Sequence, residues 1–141
     1  MNAGEMTVRR FEIELDEAQY RLEAVCVECG VDLIVVVGGG TRYHIGSAAL
    51  SISMPSIKDP AKLTNSTYQV PVPGHKEEAL AREGSLALSR DLRRNVIVSV
   101  GIHVDDLPKE KIPLYSEKFY LLIEMISNAY LSEQHNPGSS A

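Results

Sequence analysis

The sequence predicts an α+β domain, a mostly antiparallel β-sheet with two main helices packed on one side. Three observations lead there. Residues 10–54 read as one strand after another, broken by short polar or glycine links. Only two segments, 76–93 and 114–132, repeat apolar residues at helical spacing. Between them lies 95–104, a run rich in valine and isoleucine that reads as a further strand. A chain of 141 residues is long enough for one core of its own. The domain is placed at 1–133, and 134–141, with Asn136-Pro137-Gly138-Ser139-Ser140, is expected as a C-terminal tail.

Each element has its own signal. Phe11, Ile13 and Leu15 alternate with Arg10, Glu12 and Glu14, the pattern of a half-exposed strand. Tyr20 to Cys29 follows after a short polar link, so the two form a hairpin. Leu33-Ile34-Val35-Val36-Val37 is apolar throughout, as in a strand buried on both faces. Gly38-Gly39-Gly40 is expected to stop that strand in a turn. A strand resumes from Tyr43 to Met54, and Pro55 closes it.

From Ser56 to Pro73 the chain reads as loop, with at most a short strand at Tyr68-Gln69-Val70. Asn65-Ser66-Thr67 has the form of a glycosylation sequon and is expected to be a polar loop. Lys76 to Arg93 is the first helix, with Leu80, Gly84, Ala87, Leu88 and Leu92 on one face. Its acidic start and basic end suit the helix dipole. Pro108 and Pro113 punctuate the approach to the last helix, Leu114 to Ser132. Tyr115, Phe119, Leu122, Ile123, Ile126 and Tyr130 mark its inner face.

Composition excludes several classes. Hydrophobic residues at 44% and charged residues at 23% fit a globular protein rather than a disordered one. Fourteen Lys and Arg against nineteen Asp and Glu give a net charge of −5, the wrong sign for a nucleic-acid partner. No apolar run approaches the roughly 20 residues of a membrane span, so no membrane partner is expected. Met1-Asn2-Ala3-Gly4-Glu5 lacks the features of a signal peptide, so the expected location is cytoplasmic. Cys26 and Cys29 have a redox or half-zinc spacing but no second pair, and on a strand they face opposite ways. They read as one buried thiol and one turn thiol.

Chemistry concentrates at three histidines beside glycines: Tyr43-His44-Ile45-Gly46, Gly74-His75-Lys76-Glu77 and Gly101-Ile102-His103-Val104-Asp105. On 95–104, Val96, Val98, Val100, Ile102 and Val104 share one face, and Ser99, Gly101, His103 and Asp105 the other. His44, Gly46 and Ala48 form a similar small face. Small residues around a histidine leave volume for a ligand groove. If the two strands are neighbours, their histidines share it.

The three-glycine run near Arg42, and the helix start at His75, could each present N–H groups to a phosphate. The run is neither a P-loop nor a dinucleotide fingerprint, and a plain turn explains it equally well. His44, His75 and His103, with Asp105, Asp106 or Glu77, could instead ligate a divalent metal; imidazoles in turns also serve as hydrogen-bonding posts. No nucleophile pattern accompanies them. Tyr43, Tyr68 and Tyr115 read as caps on the core before they read as stacking platforms. Lys58, Lys62 and Lys76 read as solvated surface, and His135 as inert tail.

Taken in order, the three histidine segments resemble the LpdD-like proteins over roughly Val31 to Ile112. These are small partners of UbiD-type decarboxylases, regarded as chaperones for prenylated flavin mononucleotide (FMN). The resemblance implies a fold like that of the proteasome assembly chaperones, commonly dimeric, hence a homodimer here. It implies a non-catalytic carrier that holds prenylated FMN and delivers it to a UbiD-type decarboxylase. The ligand residues it implies are Gly39, Gly40, Arg42, His44, Gly46, His75, Lys76, Gly101, His103 and Asp105. A small metal-dependent enzyme using His44, His75 and His103, or an assembly chaperone without a small ligand, are the competing readings.

Overall fold

The computed structural model describes residues 3–15, 20–73 and 77–134. Nine elements follow in chain order. They are β1 (Met6–Glu14), β2 (Arg21–Cys29), β3 (Asp32–Gly40), β4 (Arg42–Pro55), β5 (Leu63–Pro71), α1 (Glu78–Leu92), β6 (Val96–His103), a short 3-10 turn (Lys109–Lys111) and α2 (Ile112–Gln134). The six strands form one sheet in the order β1-β2-β3-β6-β4-β5. Every pairing is antiparallel except β3 with β6. The α+β class, the mostly antiparallel sheet and the two helices are as the sequence predicts.

Both helices lie on the same face of the sheet, α1 over β4, β5 and β6 and α2 over β1 and β2. The inward residues of β2, β3 and β6, among them Leu22, Ala24, Val35, Val37, Val98 and Val100, are buried beneath them. Phe119, Leu122, Ile126 and Tyr130 of α2 complete this core with Leu88 and Leu92 of α1. Gly84 lets the helices approach, since a methyl group there would lie 2.9 Å from the Phe119 ring. At the Val96 end of the sheet Arg94 and Glu28 form a buried ion pair at 3.1 Å. The Tyr130 ring lies under both Arg94 and Arg9.

Several sequence expectations are corrected. β3 is covered on one face only: Ile34 and Val36 are exposed while Leu33, Val35 and Val37 are buried. A fully apolar run does not by itself reveal whether a second layer covers its other face. Gly38–Gly40 do not stop β3. They are its last three residues, paired with Gly101, Ile102 and His103 of β6. Residues 63–71, expected as mostly loop, form the nine-residue edge strand β5. Its polar residues are used structurally, with the Asn65 side chain donating to Ser89 Oγ at 2.8 Å.

α1 begins at Glu78 and ends where Arg93 turns left-handed (φ 55°). α2 starts two residues early, at Ile112, with Pro113 in its first turn, where the missing N–H costs nothing. Of the three tyrosines expected to cap the core, Tyr115 is buried, whereas Tyr43 and Tyr68 are exposed. The expected tail, 135–141, and His135 with it, lie outside the described residues. Among the described residues no helix is long and apolar enough to cross a membrane.

Cys26 and Cys29 are both free, the first buried and the second exposed. Burial pushes the Cys26 thiol up to about 12. A thiol reagent at pH 8 should therefore modify one cysteine per native chain and two in denaturant. Substitution Cys29→Ser should remove the fast-reacting group. In the same core, Phe119→Ala should cost about 3–5 kcal/mol in urea unfolding.

Candidate functional site

The chemistry-bearing residues meet at the end of the sheet where β3 passes to β4. The two strands are consecutive in sequence, yet β6 lies between them. The connection must therefore arch over the end of β6. Gly40 of β3 and Arg42 of β4 are both register partners of His103, the last residue of β6. Thr41, at the top of the arch, donates its N–H to the His103 carbonyl at 2.7 Å. Gly40 is left-handed (φ 85°), and a methyl group there would collide with that carbonyl oxygen.

Past the arch the β4–β6 register shifts between Tyr43 and Ser47, the signature of a bulge. The bulge shifts the phase of the side-chain alternation along β4. Tyr43 lies on the uncovered face, its ring against Gly38 (2.7 Å from a built Cβ) and its hydroxyl donating to Glu23 Oε2 at 2.5 Å. His44 turns toward the start of α1, with Nε2 3.1 Å from Glu77 Oε1. The expected small face of His44, Gly46 and Ala48 is thereby broken, since Ala48 pairs with Ser99 beyond the bulge.

His44 and His103 do come together, with ring centres 6.3 Å apart at 77°. Their surroundings differ. His44 is about four-fifths buried (21% exposed), and the Glu77 side chain is only 10% exposed. Glu77 caps α1 without a side-chain capping bond. Its Oε1 instead accepts the Ile102 N–H at 3.3 Å, and its Oε2 is buried against Gly46 with no hydrogen-bond partner among the described residues. His103 is 44% exposed and forms an open triad. Its Nε2 is 3.1 Å from Asp105 Oδ1 and 3.4 Å from an Arg42 nitrogen, while Arg42 donates to Asp105 at 2.7 Å. Arg42 first, and then His103, holds the Asp105 carboxyl below the usual carboxylate range.

The glycines do not leave an empty groove as the sequence suggested. The His44 backbone carbonyl occupies the space above Gly101, the Tyr43 ring that above Gly38, and the Glu77 carboxylate that beside Gly46. Gly38, Gly39 and Gly40 pair within the sheet, so they form no free turn for a phosphate. One open volume lies beside the triad, and a second, of about 520 Å³, lies against Tyr43, Gly38 and Glu23. A groove of about 410 Å³ runs between the start of α1, the end of β6 and the start of α2. Leu80, Ile102, Val104, Leu107 and Tyr120 wall it, with Glu77 and His103 at one side.

Arg42, His44, Gly46, Gly101, His103 and Asp105 are thus gathered at one end of the sheet. Gly39 stands one layer inward, against Leu22. His75 and Lys76 lie outside the described residues. Sequence reasoning gave Glu77 only as one of several possible metal ligands. Its position in the first turn of an amphipathic helix offered no signal that it would turn into the sheet. Among the described residues no three His, Cys, Asp or Glu side chains converge to hold a metal ion.

Comparison with known proteins agrees with this architecture. Residues 16–130 match the family described as prenylated flavin chaperone LpdD-like domain. Protein LpdD of Lactiplantibacillus plantarum is 26% identical over 97 residues, covering 69% of this chain and 68% of that protein. The fold is similar to a chain in the crystal structure of a chaperone complex for yeast 20S proteasome assembly. That likeness has a TM-score of 0.54 at 14% identity, over 89% of this chain and 96% of the other.

Two tests of the geometry follow. Gly101→Ala forces a methyl group into the His44 carbonyl and should cost about 3 kcal/mol or more in chemical denaturation. The Asp105 carboxyl should titrate by carbon-13 NMR below the usual aspartate range, and return toward it in Arg42→Ala. Because its folded value is depressed, the triad's contribution is fully present above the ordinary aspartate range. It is lost only as pH falls through the lowered value.

Proposed function

We propose, because this chain belongs to the prenylated flavin chaperone LpdD-like domain family, that it carries prenylated FMN as cargo. On this reading it works in the cytoplasm as a pair of like chains and passes the cofactor to a UbiD-type decarboxylase. It performs no turnover of its own. The observation that carries the reading is the groove beside the His103 triad. About 410 Å³ lies within the range of small-molecule sites, and its walls are mostly apolar.

The flavin ring is assigned to the apolar walls, against Leu80, Ile102 and Tyr120. The phosphate is assigned to the rim, where Arg42 and His103 stand exposed. A guanidinium carries five N–H donors, so Arg42 can hold Asp105 and a phosphate oxygen together. His75 and Lys76, immediately before Glu77 in the chain, are retained as further ligand residues, and His44 as the support behind His103. Gly39, Gly40, Gly46 and Gly101 are assigned an indirect part, as the small residues that let the arch and bulge close. A groove open on one side suits a carrier, which must shield its cargo and still release it.

Native mass spectrometry of the chain co-produced with a flavin prenyltransferase tests this directly. A mass increment equal to prenylated FMN is the expected result, and a bare chain would overturn the carrier reading. In anaerobic titration, His103→Ala and Arg42→Ala should each weaken binding about tenfold, or roughly 1.4 kcal/mol. Unchanged affinity in both variants would move the site elsewhere.

A further inference from the structure

We infer that the outer edge of β5 receives an extended acidic segment of another protein as a seventh strand of the sheet. The inference goes beyond the cargo reading and is independent of the flavin. β1 and β5 are the two edges of the sheet. β1 carries Arg9, Arg10, Glu12 and Glu14, the kind of charges that keep an edge from recruiting other strands. β5 runs for nine residues without a charged side chain. Its register with β4 is unbroken from Leu63 to Pro71. A long, regular, uncharged edge is a template for a further strand.

The main-chain pattern defines what this edge offers. The Val72 N–H donates to the Gly46 carbonyl at 3.0 Å, and the Ser56 N–H to the Lys62 carbonyl at 2.8 Å. In an antiparallel register bonded pairs alternate with non-bonded ones, so Thr64, Ser66, Tyr68 and Val70 are the residues that bond β4. Asn65, Thr67 and Gln69 therefore turn their N–H and C=O groups away from the sheet. Their side chains are engaged within the fold, with Ser89 Oγ, Ser51 Oγ and the Glu78 carbonyl respectively. What remains is a row of donors and acceptors about 6.7 Å apart, the repeat of every second residue in a strand.

Charge selects the occupant. Ser85 and Ser89 of α1 face β4 and β5, bonded to Ser51 and Asn65. Arg82, one turn before Ser85, is exposed on that side of α1. Lys58 and Lys62 are exposed in the turn leading into β5, where Asp59 points its carboxylate back at the Ala61 N–H, 3.1 Å away. Glu78 stands at the opposite, Gln69 end. The start and middle of this edge are thus bordered by cations on a chain of net charge −5. An added strand presents every second side chain to α1, so acids there meet Arg82 and the lysines. Its alternate side chains lie beside the exposed Tyr68 and Val70 and are apolar. A second copy's β5, itself uncharged, supplies no acid to Arg82.

Amide hydrogen exchange of the whole chain, followed by NMR with a short peptide alternating valine and glutamate, tests this. In the chain alone the Asn65, Thr67 and Gln69 amides should exchange fast, and those of Ser66 and Tyr68 slowly. With the peptide, exchange at Thr67 and Gln69 should slow at least about tenfold. A peptide alternating valine and lysine should give no such protection. Thr67→Pro removes one outward N–H without breaking a bond to β4, a change that edge strands tolerate, and should abolish the protection. Arg82→Glu, at an exposed site, leaves the fold intact and should weaken peptide binding about tenfold. No protection with the glutamate peptide, equal protection with both peptides, or unchanged binding in Arg82→Glu would overturn the inference. Protection that grows with chain concentration in the absence of peptide would overturn it too, since β5 edges would then be pairing with each other. None of these outcomes bears on the flavin.

Discussion

The structure turns on the insertion of β6 between β3 and β4. Two strands consecutive in sequence would ordinarily pair as a hairpin. Here a third strand, arriving more than fifty residues later, takes the place between them. The β3–β4 connection must clear the end of that strand, and it does so with Gly40, Thr41 and Arg42 around a single residue, His103. Main-chain atoms there approach more closely than any side chain would allow. Glycine at 40 and 101 is therefore a condition of the topology.

The same crossing assembles the chemistry. Arg42 reaches Asp105 only because the arch returns the chain past the end of β6. His44 reaches Glu77 only because the bulge after the arch re-aims it from the uncovered face toward α1. Glu77 in turn holds three elements at once: it starts α1, accepts the Ile102 N–H of β6 and stands beside the imidazole of β4. The outcome is a rigid, mostly buried pair behind an exposed triad. A carrier that discriminates at its rim and releases from an open groove would use such a division.

The opposite end of the sheet is built differently. There the buried Arg94–Glu28 pair, backed by the Tyr130 ring, ties the end of α1 to β2 and α2. Pairs of this kind gain little over well-packed apolar groups, yet removing one partner strands the other in the core. At the arch end, by contrast, the exposed polar groups of the triad open onto a groove.

Much of the fold was legible in the sequence, because alternation and helical spacing reflect burial on one face of a single element. Those patterns gave β1, β2, β6 and both helices, and the opposed faces of Val98 and Ser99 on β6. They also gave the pairing of a small residue with a histidine at 44–46 and 101–103. The apolar run of β3 was ambiguous, since its pattern is the same whether one face is covered or two. Of β5 only Tyr68-Gln69-Val70 was legible, because the hydroxyl and amide residues before them carry no apolar signal; their bonds go to β4 and α1. What the sequence determined by itself was which residues are small, which titrate and which face inward, all properties of neighbours along the chain. Only the tertiary structure decided that the glycines are filled by the chain itself, that Glu77 belongs with His44, and that a groove opens beside the triad. Those facts depend on contacts between segments dozens of residues apart, and no local pattern encodes which segment will arrive.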